Sequence, residues 1–67
     1  MSLLEFEPTR AWYGVELTKE KAEIFKEYLR EKRIKFEPSE CYNLIHIECY
    51  LSLDELHTTH NWMERNL

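Results

Sequence analysis

The sequence predicts an α+β fold: a small antiparallel sheet of three strands in the order 1-3-2, carrying two helices on one face. Three observations lead there. Residues 18–33 form an amphipathic helix with a clear start and no internal breaker. Residues 11–17 and 44–51 alternate apolar and polar side chains as half-buried strands do. Ser52-Leu53-Asp54-Glu55 is a capping box that opens a second helix running to the last residue. The element order is strand, helix, strand, strand, helix. A right-handed crossover through the first helix then leaves the third strand between the other two.

Taken in order, Leu3-Leu4-Glu5-Phe6-Glu7 alternates weakly and stops at Pro8, which cannot donate to a central ladder. It reads either as a short edge strand beside strand one or as an arm folded over the sheet. In Ala11–Leu17, Tyr13, Val15 and Leu17 make one face and Trp12, Gly14 and Glu16 the other. The chain's single glycine falls mid-strand, which points to a bulge or a close approach rather than a turn.

In the helix from Thr18 to Arg33 the threonine caps the first turn, and Glu20 complements the positive end of the dipole. Ala22, Ile24, Phe25, Tyr28 and Leu29 fall within an arc of roughly 160°, and the opposite side is Lys, Glu and Arg. Ile34–Glu37 reads as strand two, Pro38–Asn43 as a loop, and Leu44–Leu51 as strand three. Strand three would turn Ile45, Ile47, Cys49 and Leu51 inward and Leu44, His46, Glu48 and Tyr50 outward. On the last helix, Leu53, Leu56, His60, Met63 and Leu67 share the apolar face, with Trp62 on the solvent side. The order βαββα resembles a ferredoxin-like arrangement lacking its last strand. That resemblance is one of architecture, resting on element order rather than on any residue motif.

Sixty-seven residues make one domain, 1–67, with 1–10 as its arm or edge strand. Hydrophobic residues at 43% and nine aromatics suffice for a core and argue against disorder. There is no apolar run long enough to span a membrane, and Met-Ser-Leu-Leu-Glu does not read as a secretory leader. With only Cys41 and Cys49, the expectation is a cytoplasmic protein with reduced thiols.

The net charge of −4 is uneven. Lys19–Lys35 holds seven basic and four acidic residues, with the cations gathered at Arg30, Lys32, Arg33 and Lys35. Their plainer role is to complement the helix C-terminus; the sharper one is an anion contact. Nucleic-acid modules usually carry a net basic domain, and this chain is acidic, so nucleic acid is not the expected partner.

Cys41, His46, Cys49, His57 and His60 invite a zinc reading, but the spacing is wrong. Seven residues separate the cysteines and two separate His57 from His60, whereas structural sites use C-x2–4-C and H-x3–5-H. His46 and Glu48 share a strand face, and a carboxylate can orient a histidine for base catalysis. No nucleophile elbow, phosphate-binding glycine loop or paired-carboxylate motif accompanies them. No catalytic residue, metal or cofactor is therefore assigned. What remains is surface: Trp12, Leu44, His46 and Tyr50 on the sheet face away from the helices, a candidate interface. The expectation is a non-enzymatic protein-binding or regulatory module, homodimeric, with an unidentified protein partner. A nucleic-acid-binding or nucleic-acid-mimicking accessory protein is the alternative.

Overall fold

A computed structural model describes residues 9–67. The elements are β1 (Arg10–Thr18), α1 (Lys19–Glu31), β2 (Phe36–Cys41), β3 (Leu44–Ser52) and α2 (Leu53–Asn66). The sheet is antiparallel throughout, in the order β1-β3-β2, with β3 central. This is the predicted α+β arrangement, matching the ferredoxin-like pattern loosely. The N-terminal strand or arm predicted at 3–7 lies outside the described residues. No helix among those described is long and apolar enough to cross a membrane.

α1 starts where its cap allows: Thr18 is extended, and its hydroxyl accepts from the Lys21 amide at 3.4 Å. Its end is a complete Schellman motif. The amide of Ile34 donates to the carbonyl of Leu29, and that of Arg33 to the carbonyl of Arg30. Arg33 occupies the left-handed position at φ 59°, where glycine is the usual residue. Leu29 and Ile34, the apolar pair that closes the motif, are both buried. The helix is thus shorter than the predicted 18–33, because Thr18 and Lys32 are caps. Ala22, Phe25, Tyr28 and Leu29 face the core. Ile24, predicted on the same face, is exposed at its margin.

β1 and β3 pair without interruption from Arg10↔Ser52 to Thr18↔Leu44. Gly14 is therefore not at a bulge; the close-approach reading holds, as the site geometry shows below. Ile45, Ile47, Cys49 and Leu51 are buried, and Tyr13, Val15 and Leu17 pack beside them on the same face.

The loop predicted at 38–43 is a correction. β2 runs on to Cys41, and only Tyr42 and Asn43 turn the hairpin. The reason is geometric. The amide of Tyr50 donates to the carbonyl of Lys35. By antiparallel alternation the odd-numbered residues of β2 therefore bond to β3, and Pro38 turns its missing N–H to the outer edge.

A second correction concerns α2. Its capping box forms as predicted, with Ser52 and Glu55 bonding reciprocally. The inward face is rotated, however. Leu53 is 60% exposed and His60 is exposed, whereas Thr59 is buried. Trp62 is not on the solvent side: its ring stacks on Tyr28 at 4.2 Å and on Phe25 at 6.0 Å. Thr59 tolerates burial because its hydroxyl hydrogen-bonds the Tyr28 hydroxyl at 3.2 Å. That bond joins the two helices.

Candidate functional site

β3 lays Leu44, His46, Glu48 and Tyr50 along the middle of the sheet face opposite the helices. β1 adds Trp12, Gly14 and Glu16, and β2 adds Glu37, Ser39 and Cys41. No described element packs on this face. Trp12 and Tyr50 stand directly across from each other, with ring centroids 5.2 Å apart and planes tilted by 45°. Such a tilted pair is a favourable aromatic geometry. Both rings still meet solvent, Trp12 at 43% and Tyr50 at 37%, and Leu44 is exposed at the far end of β3.

Between these apolar ends sits His46, and Gly14 explains its position. A Cβ at residue 14 would lie 2.7 Å from Cε1 of His46 and 2.9 Å from Nε2. The imidazole rests on the glycine, in space any other residue would fill. Its Nδ1 is 3.9 Å from Glu16 Oε2, and its Nε2 is 3.7 Å from Glu48 Oε2. Both distances exceed hydrogen-bond reach, so neither carboxylate fixes the ring as a general base would need. Glu37 pairs across from Glu48, a like-charge juxtaposition that costs stability and leaves the mid-face acidic.

Four of the predicted residues are thus on one face: Trp12 and Tyr50 together, His46 central, Leu44 apart. The four basic residues divide. The Arg30 guanidinium lies 5.9 Å from the Phe36 ring centre and Lys32 Nζ 5.9 Å from that of Tyr28, cation–π contacts within the domain. Arg33 and Lys35 instead line a shallow hollow with Arg10, Tyr50 and Glu55. Arg10 is bound there to Glu55.

Glu55 accepts from the Ser52 amide and pairs with Arg10, which together hold its carboxyl below the usual range. Burial pushes the Cys49 thiol up to about 11, so it stays protonated and inert, while Cys41 is exposed. His60 shared the predicted apolar face of α2, and the structure turns it outward. His60 is exposed, 3.8 Å from Glu64. Among the described residues no three His, Cys, Asp or Glu side chains gather as a metal ion would require.

One surface residue escaped the sequence reading. Tyr42 is 98% exposed at the hairpin tip, at φ 58°. The signal for it was a large aromatic in a stretch read as loop. The chain matches no protein-family model, no curated protein and no solved structure.

Proposed function

We propose that this chain is a small non-enzymatic protein-binding or regulatory module, homodimeric and cytoplasmic, that acts through its open aromatic sheet face. One observation carries the reading: the Trp12–Tyr50 pair stays half open to solvent on a sheet face that no described element covers. Tryptophan and tyrosine are the residues most enriched where binding energy concentrates. Beside them Glu16, Glu37 and Glu48 make the mid-face acidic, which suits a partner presenting an apolar anchor and a cationic rim. The same acids weigh against nucleic acid, whose phosphates they would repel. The unfixed His46 ring likewise weighs against catalysis.

The test compares the unmodified chain with a Trp12→Ser/Tyr50→Ser variant in affinity capture, each with and without nuclease. A partner that is retained after nuclease and lost with the variant supports the reading. Capture that vanishes with nuclease, or that ignores the double substitution, refutes it.

A further inference from the structure

The two edges of this sheet are unlike. β2 presents Glu37, Pro38 and Glu40 along its length and cannot donate at Pro38. β1 is nine residues long, free of proline, and carries Arg10 and Glu16 as its only charges. The inner-face residues of β3 are buried, whereas Tyr13, Val15 and Leu17 of β1 are only partly so. Beneath β1 runs a hollow of about 200 Å³, walled by Tyr13, Val15, Leu51, Leu56, His60 and Met63.

Hydrogen-bond alternation says which groups of β1 face outward. Tyr50 bonds to Lys35 of β2, so the even-numbered residues of β3 bond to β2 and the odd-numbered ones to β1. The odd residues of β1 are then used, and Trp12, Gly14 and Glu16 direct their amides and carbonyls to the edge that no described strand occupies. We infer that β1 pairs antiparallel with β1 of a second copy, about a two-fold axis at Tyr13, to form one continuous six-stranded sheet. This deepens the homodimeric part of the reading above, on which it rests, by naming the contact.

Charge chooses the register. Centred on Tyr13, the pairing sets Arg10 of each copy across from Glu16 of the other, and Trp12 across from Gly14. Centred on Gly14 it would set Trp12 against Glu16; centred on Val15, Glu16 against Gly14. Only the first of these brings opposite charges together, and the two-fold does so twice. Arg10 keeps donors for this beyond the Nη1 it gives to Glu55. A perpendicular two-fold also leaves both helix layers on one side. The inner-face side chains of each β1 then lie toward the hollow of the other copy, and the two aromatic faces merge.

The test joins light scattering, amide exchange and cross-linking on the full chain. The expected result is a dimer whose Trp12, Gly14 and Glu16 amides are protected, with the protection lost on dilution. In a Cys41→Ser background, Tyr13→Cys should oxidise to a disulfide-linked dimer and Val15→Cys should not. The Tyr13 pair sits on the axis, at about 4.5 Å between Cα atoms. Glu16→Arg should raise the dimer dissociation constant about tenfold or more, and Glu40→Arg on the other edge should leave it unchanged. A dimer with freely exchanging β1 amides and no Tyr13 cross-link would overturn the edge pairing and leave a face-mediated dimer standing. A monomer at every concentration would overturn both the pairing and the homodimer. Protection that ignores dilution would give the edge to another stretch of the same chain, and so overturn the pairing too.

Discussion

The two tryptophans should fail in different ways when truncated. Trp62 is partly buried, stacked on Tyr28 with planes 22° apart and reaching Phe25 beyond it. Full burial would put Trp→Ala at about 3–5 kcal/mol; partial exposure brings the expected loss to about 2–3 kcal/mol. At ~0.05–0.15 kcal/mol per residue, this domain holds about 3–10 kcal/mol in all, so Trp62→Ala removes a large share. Trp12 touches Tyr50 across one strand pair, and a cross-strand pair contributes about 0.2–1 kcal/mol. Trp12→Ala should therefore leave the fold nearly intact and weaken association instead. Urea denaturation followed by far-ultraviolet circular dichroism separates the two, provided the protein concentration is matched and low enough for monomers. A loss below about 1 kcal/mol at Trp62, or one no greater than at Trp12, would refute the orientation of α2 described here.

Three further outcomes are expected. Phe25→Ala and Leu29→Ala should each cost about 2–5 kcal/mol, since both side chains are fully buried; calorimetry showing little change at both would contradict the α1 packing. Arg33→Gly should raise the urea midpoint, gaining about 0.5–1 kcal/mol, because it relieves a left-handed backbone that costs an L-residue about 1–2 kcal/mol while loosening the unfolded chain. A lower midpoint would argue against the Schellman end. Glu55 titrates below its ordinary value in the fold, so its contribution is full above that ordinary value and is lost as pH falls through the lowered one. Glu55→Gln should accordingly cost stability at pH 7 and almost none in strong acid; an equal cost at both would show that the charge of Glu55 is irrelevant.

Much of this architecture was legible because local chemistry and tertiary role agree. Thr18 and the Ser52–Glu55 box mark helix starts by groups that bond within one turn. The alternation in β1 and β3 follows from one covered and one open face. β2 was harder to bound: it is an edge strand exposed over most of its length, so neither alternation nor the absence of proline was required of it. The face of α2 misled for a different reason. Leu53 and His60 continue an apolar pattern by spacing, but the helix is rotated to bring Thr59 and Trp62 onto Tyr28, a partner thirty-one residues away from Thr59. The candidate interface residues were legible one by one, as outward positions of strands. That His46 lies on Gly14 needed the β1–β3 register.

Pro38 has a consequence for how large anything built from this chain can grow. A sheet that accepted strands at both ends could lengthen without limit, as fibres do. Here one end is closed by a residue that has no amide to offer, between two glutamates on the same strand. Under the pairing inferred above, a strand would join this sheet at the β1 edge and be disfavoured at the β2 edge, which would give each chain one strand-pairing site. In the proposed β1–β1 dimer only the two β2 edges would face outward, and assembly would stop by stoichiometry rather than by weak affinity.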